Sequence, residues 1–387
     1  MMSSASSRSF ASNESAMDGS GEGIGREVYH PDALKKTKVS GSPADQTMSQ
    51  RVSDPLKQAA SAAAARVAVG YYPAASLPES TDSILAEIRF GGSPHAASHP
   101  ASRGLRIDVA LRPIGTASAP VEVWQAQGPV TLGQDGSVRF AHDGQHVFAV
   151  VEADERQHGG ILGTAEFVYC EVRRFQQSSP YRHILRMWNY VDAVNEGAGD
   201  MERYRQFCVG RARGLGDFLS ESYPAASAVG RQQLTHSLQV YWLAGHVAGV
   251  AVENPRQVSA YRYPHIYGPA SPGFSRATIA PDDTLLISGT ASILGHASHH
   301  IGDAAAQLDE TLRNLEALIG QAAKQRPGLR SSLSSGTRLK VYVRDTEQME
   351  MIDRRLKAHL PDLATTYLAA DICRKELLLE IECAQLA

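Results

Sequence analysis

The sequence predicts an α/β protein made of two related modules, each a mixed sheet with helices on one face, behind a disordered N-terminal tail. Three observations predict this. Residues after Thr284 read in the order β-α-β-α-β-β, the pattern of helices layered on one side of a sheet. The middle of the chain runs strand, two helices, strands, a looser version of the same plan, so an internal structural repeat is expected without a clear sequence repeat. Residues 1–58 are rich in Ser, Ala, Gly and Asp and hold no sustained hydrophobic period. The expected division is a tail over 1–58, an N-terminal α/β domain over 59–225 and a C-terminal domain over 226–387.

Taken in order, the Ala-rich tract Leu56–Ala65 reads as a brief helix. Short strands follow: Arg66–Tyr72, Ile84–Phe90, Leu105–Leu111, Val121–Gln125, Val138–Phe140 and His146–Glu152, with Gly133–Gly136 and Asp143-Gly144 as turns. Leu162–Val172 reads as a longer strand. A helix is expected from Tyr181 to about Val194, because Ile184, Leu185, Trp188 and Val191 fall at helical spacing, and a second from about Met201 to Leu219. Ser237–Ala244 and Val247–Glu253 return to strand. The stretch Val258–Arg276 is dense in aromatics, Pro and Gly, and loops of that length in a compact domain are usually functional. Beyond it, Thr284–Thr290 is a strand, and Asp303 caps a helix whose stripe is Leu308, Leu312, Leu315 and Ile319. Leu339–Val343 is a strand, and Glu347–Leu360 is a helix that Pro361 ends. Thr365–Ala369 and Leu377–Glu382 close the chain as strands.

Composition removes several function classes. A hydrophobic content of 43% is enough for real cores once the tail is set aside, and a formal charge of −3 provides no global basic field for nucleic acid. An anionic ligand must therefore be drawn by local arginines. No run of about 18 apolar residues predicts a membrane span, and the N-terminus lacks the apolar core of a secretory signal. The four cysteines, Cys170, Cys208, Cys373 and Cys383, are scattered without a CxxC pair, so neither a zinc site nor a disulfide framework is expected and a cytoplasmic location fits. The sequence leaves open a monomer or a small homo-oligomer.

The candidate chemical residues are few. In Leu377–Glu382, Leu377, Leu379 and Ile381 alternate against Leu378, Glu380 and Glu382. A carboxyl on so apolar a strand can be desolvated into an acid, although alternation alone places both glutamates on the wet face of a one-sided sheet. Tyr204 and Arg211 are seven apart, close to two helical turns, so they share a helix face about 10 Å apart along the axis, with Cys208 between them. Gly210 and Gly214 weaken that helix, which makes sense if something packs closely on it. Tyr263 and Arg276 lie in the aromatic loop, with Arg262 pointing the other way if the local chain is extended. Arginines on different elements can each take a carboxylate bidentately, but spacing does not show that these converge. The run Gly295-His-Ala-Ser-His-His300 with Asp303 does not match metal-ligand spacing, and neither a Rossmann, P-loop nor G-x-S-x-G signature occurs. Gly289 and Gly295 allow close backbone approach to a ligand.

Two family resemblances meet on these residues. Leu286-Ile-Ser-Gly-Thr-Ala, Gly302-Asp303, Gln307, Asn314-Leu315, Leu318, the strand Lys340-Val-Tyr-Val343 and Glu380-Ile-Glu382 resemble the Rid/YjgF family, which implies that α/β fold for roughly the last hundred residues. Imine deaminases of that family carry an Arg on the strand before the terminal Glu. Here that strand reads Thr365-Thr-Tyr-Leu-Ala-Ala370, which argues against imine hydrolysis. Over most of the chain after the tail, the motifs Arg203-Tyr-Arg-Gln-Phe-Cys-Val-Gly-Arg-Ala-Arg213, Tyr223–Gly230, Asn254–Pro264, Ser271-Pro-Gly-Phe-Ser-Arg276 and Ser288–His296 resemble the chorismatases.

That resemblance implies substrate binding by Tyr204, Arg211, Tyr263 and Arg276, acid/base catalysis by Glu380, and no cofactor or metal. It implies chorismate as substrate, one carboxylate for each of Arg211 and Arg276, and Glu380 protonating the enolpyruvyl methylene before pyruvate leaves. Aromatising members carry a Cys shortly before the catalytic Glu. Cys373 stands seven residues ahead of Glu380, so 3-hydroxybenzoate, with or without 4-hydroxybenzoate, is the expected product, and Ala297 is a second position expected to size the pocket. The alternatives are a hydrolytic chorismatase giving a dihydroxycyclohexadiene carboxylate and a non-catalytic Rid-like metabolite-binding protein.

Overall fold

Alternation decides where the layers meet. In Thr337–Val343, Leu339, Val341 and Val343 face an apolar core under helices, while Lys340 and Tyr342 face the opposite way and are equally buried. A strand buried on both faces belongs to a sheet covered on both sides. The computed structural model describes residues 66–78, 82–92, 104–115, 120–219 and 222–386. The expected tail and the Leu56–Ala65 helix lie outside them.

Strands β1 (Ala68–Pro73), β2 (Ile84–Phe90), β3 (Leu105–Val109) and β4 (Pro120–Gln125) form a four-stranded sheet in the order β1-β4-β2-β3. The first module follows: β5 (Thr131–Asp135), β6 (Val138–His142), β7 (His146–Asp154), α1 (Ile161–Ser178), β8 (His183–Asp192), α2 (Arg203–Leu215), β9 (Ala225–Arg231) and β10 (Ser237–Gly245). The second comprises β11 (Val250–Val252), β12 (Ala277–Ile279), β13 (Leu285–Thr290), the small hairpin β14 (Ile293–Leu294) and β15 (Ala297–Ser298), and α3 (Ala304–Gln325). It continues through β16 (Thr337–Val343), α4 (Met349–His359), β17 (Ala364–Ala369), β18 (Asp371–Ile372) and β19 (Leu379–Gln385).

The two large sheets run β18-β9-β8-β10-β7-β6-β5 and β11-β12-β13-β19-β16-β17. Apart from β18, they share one plan. Three strands lead to a helix, a strand, a second helix and a parallel strand (β9 beside β8, β17 beside β16). A last strand then returns antiparallel to the middle, β10 between β7 and β8, β19 between β13 and β16. The expected repeat is therefore present. The 225/226 boundary falls at the first residue of β9, ahead of the strand that completes the first module. Helices α1 and α2 cover one face of the first large sheet and α3 and α4 one face of the second, while the other faces join the four-stranded sheet in a shared core.

Two elements change type from expectation, and the turn expected at Gly133–Gly136 falls after β5, at Gly136 and Ser137. Leu162–Val172, expected as a strand, lies in α1: Ile161, Ala165, Val168, Tyr169 and Val172 form its buried stripe at helical spacing, entered through Gly159 and Gly160 at φ +70° and +95°. Tyr181–Val194, expected as a helix, contains β8. Every residue of β8 after His183 is buried, so its apolar pattern is not one-sided and mimics helical spacing. Val247–Glu253 contracts to the short strand β11. Asp303 caps α3 as expected, its carboxylate accepting from the Ala306 N–H at 2.9 Å.

Gly210 and Gly214 let α2 lie against α1. A Cβ at Gly210 would stand 2.1 Å from the Leu162 carbonyl oxygen, and one at Gly214 2.5 Å from that of Glu166. This contact fixes the face of α2 that carries Tyr204, Cys208 and Arg211.

The shared core holds a buried ionic cluster. Glu382 accepts from Lys340 Nζ at 2.9 Å, Arg186 Nη2 at 2.8 Å, Trp188 Nε1 at 2.7 Å and Ser227 Oγ at 2.5 Å. Lys340 also pairs with Glu122 at 2.7 Å, and Trp124 Nε1 donates to Glu122 at 2.8 Å. Glu380 and Glu382 are thus not on a wet face: they are 5% and 4% exposed, because the first module's sheet covers this side of β19.

Candidate active site

Glu380 lies at the floor of a cavity of about 240 Å³ between the two modules. One residue after the start of β19, its carboxyl rises toward β13, where the chain has a glycine. A Cβ at Gly289 would stand 1.9 Å from Glu380 Oε1, so only glycine leaves room for the acid. Gly289→Ala is therefore expected to displace the carboxyl and lower kcat by roughly 100-fold, since a 1 Å misplacement has that scale of effect. Its melting curve should stay close to wild type, and undiminished turnover would show that this placement is immaterial.

The environment keeps Glu380 protonated. Burial first, and then the charge of Glu382, push its pKa up to about 8, against the opposing pull of Arg186 and Arg276. Glu382 goes the other way. Burial alone would raise it, but Lys340, Arg186 and the Ser227 hydroxyl outweigh that and hold it at about 2. Two carboxyls two residues apart on one strand therefore have opposite charge states at neutral pH. Such separation marks a site that does acid–base work.

Four further expected residues reach the same cavity: Tyr204 and Arg211 from α2, Tyr263 and Arg276 from the aromatic loop and the start of β12. Arg211 donates to the Gly273 carbonyl at 2.6 Å and lies over the Tyr169 ring at 5.1 Å. Arg276 donates to Val258 O at 2.8 Å and to the Tyr263 hydroxyl at 2.7 Å, and its buried Nε has no acceptor among the described residues. Both guanidiniums are anchored by neutral oxygens. Among the described residues neither has a carboxylate within ion-pair distance, so their charge is available to a ligand. Desolvation holds the Tyr204 hydroxyl well above its usual range, with Cys208, Cys373 and Glu380 adding to it, so it is a neutral donor. Arg262 is exposed and lies against Tyr261, outside the cavity lining, but it ends a short 3-10 helix (Ala260–Arg262) rather than the extended segment on which that expectation depended.

Cys373 also lines the cavity, on a segment held in place from below. Arg344 donates to the carbonyls of Leu377, Ile372 and Arg374 and to the Asp371 carboxylate, and Gln307 bonds the Glu376 carbonyl and the Leu378 N–H. Burial, and secondarily Glu380, push the Cys373 thiol up to about 12, so it is a neutral S–H group at pH 7. Ala297 is not brought in. It pairs with Leu294 in the β14–β15 hairpin, outside the residues that line the cavity. His296, His299 and His300 do not converge: His296 Nδ1 bonds the Tyr267 hydroxyl at 3.1 Å, and His300 faces Glu310 at 3.6 Å.

Sequence reasoning missed Arg374, Tyr267, Asn189 and Ser227, all in the lining. Ser227 joins the modules, donating to Glu382 and accepting from the Gly289 N–H at 2.8 Å. Tyr267 lay within the aromatic loop and Arg374 beside Cys373, so both were inside flagged stretches without a signal of their own. Asn189 and Ser227 sit on β8 and β9, where nothing in the local sequence marks them.

Comparison with known proteins bears on this arrangement. The family model described as "Chorismatase FkbO/Hyg5-like, N-terminal" matches residues 122–244. A 3-hydroxybenzoate synthase of Streptomyces hygroscopicus is 34% identical over 281 residues, covering 69% of this chain and 82% of that protein. A chorismatase of Streptomyces rapamycinicus is 38% identical over 275 residues, 67% of this chain and 80% of its own. A chorismatase crystal structure superposes with a TM-score of 0.73 at 30% identity, covering 83% of this chain and 98% of that one.

Proposed function

The chain belongs to the chorismatase family, an enzyme family that cleaves chorismate, and we propose that it yields pyruvate and 3-hydroxybenzoate, with or without the 4-isomer, using Glu380 as the acid. The observation that carries this reading is the convergence of a protonated Glu380, two arginines with no carboxylate in ion-pair distance among the described residues, two tyrosines and Cys373 on one cavity.

Arg211 and Arg276 take the two carboxylates of chorismate and orient the ether between them. Glu380 gives its proton to the enolpyruvyl methylene carbon. The enol π pair forms the new C–H bond, and the positive charge is shared with the ether oxygen. The ether then breaks on the ring side and pyruvate leaves with that oxygen. For 3-hydroxybenzoate the neighbouring ring hydroxyl closes onto the vacated carbon and returns its proton to the acid, the resulting epoxide opens at its other carbon, and the C–H proton passes to the retained oxygen as the ring aromatises; direct loss of the proton from the hydroxyl-bearing carbon instead restores the acid and gives the 4-isomer. Chorismate equals pyruvate plus hydroxybenzoate atom for atom, so neither water, oxidant nor reductant is consumed. Cys373, a thiol rather than a thiolate, serves as a small neutral wall group. We place the reaction in the cytoplasm, where the four cysteines, all unpaired, stay reduced.

Incubation with chorismate, followed by chromatography and a coupled pyruvate assay, tests this directly. Pyruvate with 3-hydroxybenzoate is expected. Pyruvate with a non-aromatic diol would make the enzyme hydrolytic and remove the assignment based on Cys373. No pyruvate above the uncatalysed background would leave a binding protein.

A further inference from the structure

The cavity holds a third arginine with charge to spare. Arg374 follows Cys373 on the segment that Arg344 braces. Its Nη1 donates to the His296 carbonyl at 2.8 Å and to Ser298 Oγ at 3.1 Å. Its guanidinium lies 3.8 Å from the Tyr267 ring centre and 5.2 Å from that of Tyr263. The side chain is therefore fixed at one corner and along its plane. Its Nε and Nη2, the edge suited to a bidentate carboxylate, have no acceptor among the described residues. Glu376 reaches it only through the Ser298 hydroxyl. Arg205, at the same cavity, is by contrast paired with Glu202 at 3.2 Å and Asp200 at 3.4 Å.

Tyr263 tells which ligand group the open edge serves. Arg276 approaches the same ring at 5.6 Å and donates to its hydroxyl, so two guanidiniums attend one tyrosine. Arg276 and Glu380 line the same cavity, and the arginine's charge acts on that carboxyl. Resting on the reaction proposed above, the carboxylate next to the protonated methylene is that of the enolpyruvyl group. We propose that Arg374 is a further substrate-binding residue, sharing the enolpyruvyl carboxylate with Arg276 and retaining pyruvate after the ether breaks.

Pyruvate itself is the probe. In wild-type enzyme, added pyruvate should inhibit competitively with chorismate, with turnover followed by hydroxybenzoate formation. Arg374→Met keeps bulk against Tyr267 but removes the charge. It is expected to raise KM and the pyruvate inhibition constant together by roughly 10–100-fold, the worth of a hydrogen bond to a charged group, with kcat little changed. Arg374→Lys should fall between, since a point charge replaces a fork. If wild type releases no pyruvate from chorismate, the reading of the reaction fails. If it turns over but pyruvate does not inhibit it, or if folded Arg374→Met keeps the wild-type KM and pyruvate inhibition, only the role of Arg374 is overturned. The wild-type inhibition decides the question even where the variants do not fold.

Discussion

Glu380→Gln is expected to lower kcat by about 10²–10⁴-fold, the usual worth of a positioned general acid, and to leave chorismate binding nearly unchanged. The amide keeps the shape beside Gly289 but holds no proton to give. The pH profile supplies a second signature. In the proposed reaction Glu380 works in its protonated form, and its pKa is raised to about 8, so wild-type kcat/KM should be flat below that value and fall about tenfold per pH unit above it. That limb should vanish from the residual activity of the variant. Near-normal turnover by Glu380→Gln, with calorimetry showing intact binding, would remove Glu380 from the chemistry.

The second large effect is on stability. Lys340 stands between Glu122 and Glu382, all three with side chains no more than 6% exposed. Lys340→Met leaves two carboxylates in a dry core without their shared cation, and breaking a buried pair in this way costs about 3–5 kcal/mol. Thermal melting should show a fall of roughly 5–15 °C; a wild-type melting temperature would refute the ionic account of this core. The loss should be smaller in acid. Glu382 has a folded pKa of about 2 against an ordinary value of 4.5, so it contributes stability above the unfolded value that disappears as pH falls through the folded one. Glu380 has the opposite sign: its raised pKa makes the fold lose stability as pH climbs from 4.5 toward 8.

Much of this was legible in sequence where one face of an element is wet. The stripe of α3, its Asp303 cap and the seven-residue spacing of Tyr204 and Arg211 needed only helical geometry. Reading failed where burial is two-sided. In β8 apolar residues occur on both faces, and in α1 aromatic and branched residues serve a helix stripe that resembles a strand. The wet-face reading of Glu380 and Glu382 failed for a related reason, since a strand carries no local mark of what will cover it. Convergence is non-local as well. Tyr263 and Arg276 were candidates by residue type, but only family resemblance brought them to one site, and the Lys340–Glu122–Glu382 contact joins positions more than two hundred residues apart.

The position of β19 in its sheet has a consequence for how the protein comes into being. It lies between β13 and β16, yet it is made after both. As the chain leaves the ribosome, β13 and β16 must wait with an unpaired edge each, Arg186 waits without the Glu382 carboxylate, and Lys340 has only Glu122. Such late, long-range closure is slow and leaves strand edges exposed to wrong pairing. A nascent chain halted before Leu379 would have the arginines and tyrosines of the cavity in its sequence but neither the acid nor the strand that joins the second sheet. Catalytic competence and completion of the fold would thus arrive together, in a single late step.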